Sequence, residues 1–353
     1  MVCSLCLRRS AVLAAAAPAL ARRSPLHEQW LLGVLGLPNE GLLRAVRAKD
    51  PHWILRRLRL PELTDSVPTA LCCHDAGYPR TLLQLPNAPA VLYATCSAER
   101  LRGLLSPASP RVAIVGSRGL TPYAKEITFT LTRDLARAGV TVVSSVNEGP
   151  DGIAHEGALD GGGRSIAVMA CSPEISHLAW QAPLHQRILA HGTAISEFPP
   201  GFYEPQRWCF LASRRIIAAL ADVIVIVEAG GFTNAALTTK IATELGRDIA
   251  VVPTRFTDPS GNRILWLLKD GAHPVATAED VLEVIHRAGL RGPALHGPAL
   301  HDPTPHELAD DPTMSGPVLH DPAPRELADA AGVPGPAMRG PTISEPALHE
   351  VAA

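Results

Sequence analysis

Val112-Ala113-Ile114-Val115-Gly116-Ser117-Arg118-Gly119 is the stretch on which the fold turns. Four apolar residues, three of them β-branched, suit a short strand covered on both faces. The glycine-bearing turn that ends the run lets backbone amides approach a phosphate at the start of a following helix. Its spacing is not G-x-G-x-x-G, so no dinucleotide pocket is predicted. Arg118 adds a fork of charged donors suited to phosphate. A structural turn carrying a solvent-facing arginine accounts for the same residues.

On both sides of this stretch the pattern repeats. A helix is predicted over Thr121 to Ala138, with Phe129, Leu131 and Leu135 on its apolar side and Gly139 as its stop. Strands are predicted at 140–143, 165–169, 223–227 and 249–252, with helices at 153–159 and 235–246. Continuous apolar strands separated by helices mean a parallel sheet covered on both faces, an α/β doubly wound, Rossmann-like architecture. Such sheets bind ligands at the carboxyl ends of their strands. Three further segments belong to that rim. Ser144 to Asp151 ends the second strand, and Asp151 is read chiefly as a helix cap. Ser213-Arg214-Arg215-Ile216-Ile217 is expected to open the helix before the fourth strand, presenting two cations to a polyanion; the alternative is one exposed arginine and one in a salt bridge. Glu228-Ala229-Gly230-Gly231 ends the fourth strand, and Thr233-Asn234 begins the next helix.

The 353 residues divide into a Leu/Arg-rich helical region at 1–70, of helix-hairpin-helix or sterile-alpha-motif type, a core at 71–288, and a Pro-rich, low-complexity tail at 289–353 predicted to be disordered. From Arg291 onward three Lys/Arg face nine Asp/Glu, a tail of −6, so the residues before it carry 29 cations against 25 anions. A mildly basic core permits a nucleic-acid groove without requiring one. Arg8-Arg9 followed by an Ala/Leu-rich stretch has the outline of a twin-arginine signal. The break at Pro18 and the Arg22-Arg23 pair favour the first helix of the N-terminal region and a cytoplasmic protein, and no run is long enough to span a membrane. Seven cysteines, an odd number in a long chain, do not make a disulfide framework. Cys3-Ser-Leu-Cys6 has the spacing of a zinc half-site, but no second Cys/His pair stands nearby in sequence, so the pair is read as ordinary thiols and neither a metal nor a cofactor is assigned.

Between residues 74 and 285 the order of segments resembles the DNA-processing protein A (DprA/Smf) family. The resemblance rests on Tyr78 to Leu82 with Pro89 to Tyr93, Val112 to Arg118, Asp151 with Ala154-His155, and Gly162 to Val168. It continues through Ser196 to Gly201, Arg215 to Ala218, Val227 to Ala229, Gly246-Arg247, Ala250 to Pro253, Asp270 to Ala272 and Glu279 to Leu282. Each motif is weak alone; their collinear order is specific. The resemblance implies an extended Rossmann fold that binds single-stranded DNA without catalysis, protects DNA during natural transformation and helps to load a RecA-type recombinase, and it suggests a homodimer. The resemblance implies phosphate contacts at Gly116, Ser117, Arg118 and Arg215, and the candidate DNA-contacting set adds Arg214, Thr233, Asn234 and Lys240; it also implies that Arg325 to Pro334 in the tail is the remnant of a winged helix that many family members carry. Four departures bear on that set. Glu148 stands where the family usually has an arginine, Ser213 where its Arg-Asn-Arg-Ile-Ile motif begins, Phe232 where a polar or basic residue is common, and Thr254 where a glycine follows the proline. Glu148 and Thr254 motivate a second reading, a degenerate member that keeps the fold but not the groove. A third reading, a nucleotide-cleaving Rossmann enzyme with a P-G-G-x-G-T-x-x-E loop, meets Gly230-Gly231-Phe232-Thr233, which lacks the later glycine and the glutamate.

Overall fold

The computed structural model describes residues 2–23, 35–45, 59–229, 234–255, 257–258 and 261–291. The Pro-rich segment 292–353, Phe232 and Thr233 lie outside the described residues, as does most of 24–58 between the N-terminal helices and the core.

The centre is a nine-stranded sheet. In chain order its strands are β1 (Thr69–Cys72), β2 (Val91–Ala94), β3 (Arg111–Val115), β4 (Thr141–Ser144), β5 (Ser165–Val168), β6 (Thr193–Ser196), β7 (Val223–Ile226), β8 (Asp248–Val251) and β9 (His273–Pro274). In space the order is β1-β2-β6-β5-β4-β3-β7-β8-β9. From β6 to β9 all pairs are parallel, while β1 and β2 form an antiparallel hairpin and β2 adds antiparallel to β6. The chain winds one way from β3 to β6, then crosses back to place β7 on the other side of β3. That reversal is the switch point at which open α/β sheets form a crevice.

Alternate residues supply two cores. Ala113, Val115, Ile224, Ile226 and Val251 point to one face, where α3 (Ala98–Leu104), α7 (Arg207–Leu220), α8 (Asn234–Glu244) and α9 (Gly261–Lys269) pack. Val112, Ile114, Val142, Val223 and Val225 point to the other, under α4 (Pro122–Arg137), α5 (Pro150–Asp160) and α10 (Ala278–Arg291). The doubly wound α/β architecture is thus present, with helices on both faces. An eighth helix, α6 (Ala182–His191), packs against Ala167 of β5 and Ala194 of β6.

Five strands were readable as apolar runs; four were not, for physical reasons. β6 is Thr193-Ala-Ile-Ser, with both polar ends buried. Its Ser196 hydroxyl donates to the Met169 carbonyl at 3.2 Å, so the strand buries polar groups by bonding them. β1 and β2 are edge-side strands, and β9 is two residues long.

The two N-terminal helices that are described, α1 (Ser4–Arg23) and α2 (Asn39–Ala45), close on the same body. Val12, Leu13, Ala16, Ala17 and Leu20 of α1 share a core with Leu42 and Leu43 of α2 and with Phe198, Trp208 and Ala212. The Trp208 indole N–H donates to the Ala17 carbonyl at 3.1 Å, and the Tyr93 hydroxyl donates to Ser10 at 3.0 Å. The helix continues through Pro18, and its Ala/Leu-rich stretch is used for packing. No helix among the described residues is long and apolar enough to cross a membrane.

Candidate nucleic-acid interface

Because β3 to β8 are parallel, the loops after them share one rim. The loop after β3 is held by its neighbours. Ser117 N–H donates to the Glu228 carbonyl at 2.8 Å, and the Glu228 carboxylate accepts from the Thr121 hydroxyl at 2.7 Å and the Thr121 amide at 3.2 Å. Thr121 also caps α4 by accepting from the Ala124 amide, so Glu228, buried after β7, fixes the start of the helix after β3. Two glycines permit this close approach. A β-carbon on Gly116 would sit 2.9 Å from the Glu228 carbonyl oxygen. Gly149, at φ +105°, would place one 2.7 Å from the Ser117 carbonyl oxygen, and its conformation is one that side chains disfavour.

The loop after β4 is tied inward. Asn147 Nδ2 donates to the Ser145 hydroxyl at 2.6 Å, Ser145 donates to Asp151, and Gln181 Nε2 donates to the Asn147 carbonyl at 3.2 Å. His155 lies beneath it. The Ser145 carbonyl can only accept, so Nε2 carries the proton and donates at 3.1 Å, while Nδ1 accepts from Ser165 at 2.5 Å. Burial lowers the pKa of this imidazole from 6.5 to about 4, so it is neutral at pH 7.

The structure sorts the sequence-predicted residues into groups. Gly116, Ser117 and Arg118 lie together at the switch-point crevice, Arg118 with its side chain exposed. Arg214 and Arg215 are each buried against a carboxylate, where the expectation was of two cations offered to a polyanion. They lie in the middle of α7, which begins at Arg207 rather than at Ser213, and both are buried. Arg214 donates to Asp151 at 3.2 Å. Arg215 grips both oxygens of Glu197 at 2.6 Å and donates to the Asn87 side chain at 3.2 Å and the Ala212 carbonyl at 2.6 Å. The guanidinium fork is thus filled by protein. Asp151, read as a cap, lies inside the first turn of α5, whose N-cap is Gly149, and serves the Arg214 pair instead. Asn234 is the first residue of α8, and Lys240 lies half-buried on the same helix. Of the departures, Glu148 is exposed next to Gly149, Ser213 is buried and bonded to the Phe210 carbonyl at 2.9 Å, and Thr254 is half-buried beyond β8.

Sequence reasoning missed three aromatics. Tyr123, Trp180 and Tyr203, at 49%, 62% and 56% exposure, are the exposed aromatic side chains among the described residues. Each follows the carboxyl end of a parallel strand, β3, β5 and β6 respectively. The signal was available: the chain is only 4% aromatic, and these three stand in or beside polar loops. Lys125, Arg207 and Arg255, also exposed, follow β3, β6 and β8. These segments therefore carry exposed cations and exposed rings, the residue types that engage a sugar-phosphate backbone and unstacked bases, together with the exposed carboxylates Glu126, Glu148 and Glu204.

The comparisons with known proteins agree with the fold and its order of motifs. A DNA processing protein DprA of Mycobacterium tuberculosis, itself described as putative, is 38% identical over 204 residues, which are 58% of this chain and 51% of that protein. The DNA processing protein DprA of Bacillus subtilis is 31% identical over 206 residues, 58% of this chain and 67% of the relative. The chain thus spans about half the length of the mycobacterial protein. The solved structure of DNA processing protein A from Streptococcus pneumoniae aligns with a TM-score of 0.59 at 26% identity, covering 74% of this chain and 95% of that one. That of Helicobacter pylori, described for its single-stranded DNA binding mode, aligns at 0.54 and 28% identity, covering 62% and 96%. The family described as DNA recombination-mediator protein A matches residues 69–286, from β1 into α10, and to that family this chain belongs.

Proposed function

We propose that the chain binds single-stranded DNA, without catalysing a reaction on it, along the rim formed by the loops after β3 to β8. The observation that carries this reading is that Arg118, Lys125, Tyr123, Trp180 and Tyr203 are all exposed and all follow the carboxyl ends of parallel strands. Phosphate contacts supply affinity independent of sequence, and rings supply stacking worth about 1–3 kcal/mol per base. Gly116, Ser117, Arg118, Asn234 and Lys240 remain the proposed contacts, with Thr233 proposed from sequence. Arg214 and Arg215 are assigned to positioning, since each already answers a buried carboxylate.

Family membership supports the wider role: protection of incoming DNA in natural transformation, hand-over to a RecA-type recombinase, and action as a cytoplasmic homodimer. Fluorescence anisotropy of labelled oligothymidine tests the binding. Saturable binding that weakens from low to moderate salt is expected. No binding at micromolar protein in dilute buffer overturns the reading and leaves the degenerate alternative, which the exposed Glu148 on the same rim favours.

A further inference from the structure

Away from the rim, the start of α1 meets the end of β1. Cys3, Cys6, Cys72 and His74 bring one donor atom each into a group whose members all lie within 4.8 Å of one another. The Cys3 and Cys6 sulfurs lie 3.4 and 3.3 Å from the same ring nitrogen, Nδ1 of His74. A tetrahedral ion bonded to sulfur at about 2.3 Å and to nitrogen at about 2.0 Å sets its ligand atoms roughly 3.5–3.8 Å apart. The cluster is therefore close to the size that an ion requires. The Cys6 amide donates to the Cys3 sulfur at 3.5 Å, a turn that aims both thiols of the Cys-x-x-Cys pair the same way.

We propose that Cys3, Cys6, Cys72 and His74 form a zinc site that clips α1 to the edge of the sheet. Three soft sulfurs and one imidazole select Zn²⁺ over the hard cations, and four protein ligands close the coordination sphere, which makes the site structural rather than catalytic. The two halves, Cys-x-x-Cys and Cys-x-His, are about seventy residues apart, so neither announces the other in the sequence. Val67, Val91 and Tyr93 form the apolar backing of the buried side. Each thiol gives up its proton on binding, so affinity falls as pH falls. Cys73, whose sulfur lies 3.6 Å from that of Cys6, is a bystander.

Co²⁺ titration of the untagged full chain, reduced and stripped with chelator, tests this. The expected result is a thiolate-to-cobalt charge-transfer band with tetrahedral d–d bands, saturating at one ion per chain and bleached by Zn²⁺. Cys3→Ser and His74→Ala, both at solvent-accessible positions, should weaken binding by about tenfold or more, whereas Cys73→Ser should leave it unchanged. The many histidines elsewhere make this dependence decisive. Absence of the bands, bands that survive Cys3→Ser and His74→Ala, or bands abolished by Cys73→Ser overturn the proposal.

Discussion

Two arginines of this chain look alike in sequence and do opposite things. Arg118 stands exposed after a glycine turn, whereas Arg215 is enclosed, with both carboxylate oxygens of Glu197 on its fork. Residue type was legible; direction was not, because it depends on where a helix begins. With α7 starting at Arg207, residues 212–220 are buried without a break, so the helix has no outward face at that point. Removing one partner of such a pair leaves an uncompensated buried charge. Arg215→Ala should therefore cost about 3–5 kcal/mol in urea unfolding, and Arg215→Lys should fail to restore it because the bidentate geometry is lost. Glu148 makes the complementary prediction. It is exposed beside the turn that holds Arg118, and reversing its charge removes a repulsion and offers a contact. Glu148→Arg should tighten oligothymidine binding and steepen its salt dependence by about 0.7 in the log–log slope, as read by anisotropy across a salt series.

At the scale of elements, the apolar strands and the helices between them were legible because burial on both faces demands a continuous run of β-branched residues. The hairpin β1–β2 and the polar-ended β6 carry no such run, and α5 begins three residues early because Pro150 is preset for a first helical turn. His155 shows what the loop after β4 costs to hold. Its neutral ring supports the Ser145 carbonyl, and protonation is disfavoured in the fold but not in the unfolded chain. Between pH 6.5 and about 4 the unfolded state binds more protons, so stability falls as pH is lowered through that window and levels off below it. The loss is on the order of 3 kcal/mol. His155→Asn should flatten that limb of a stability–pH curve measured by urea unfolding, at the expense of lower stability at pH 7.

For the molecule as a whole, a parallel sheet with a ligand rim expected at the carboxyl ends of its strands was legible from the alternation of strands and helices, but the reversal of winding at β3 and β7 was not. The partners that shape the rim were not, since they come from far along the chain: Glu228 bonds to Thr121, and Gln181 to Asn147. The N-terminal helices add a core shared with α7, which no local pattern announced. On the proposed reading the exposed rim, and not the buried arginine pair, meets the nucleic acid. The most direct test is the salt dependence of oligothymidine affinity for Arg118→Glu beside the unaltered chain. Weaker binding with a log–log slope shallower by about 0.7 or more, at unchanged unfolding midpoint, is the predicted result. Equal affinity and equal slope would contradict it.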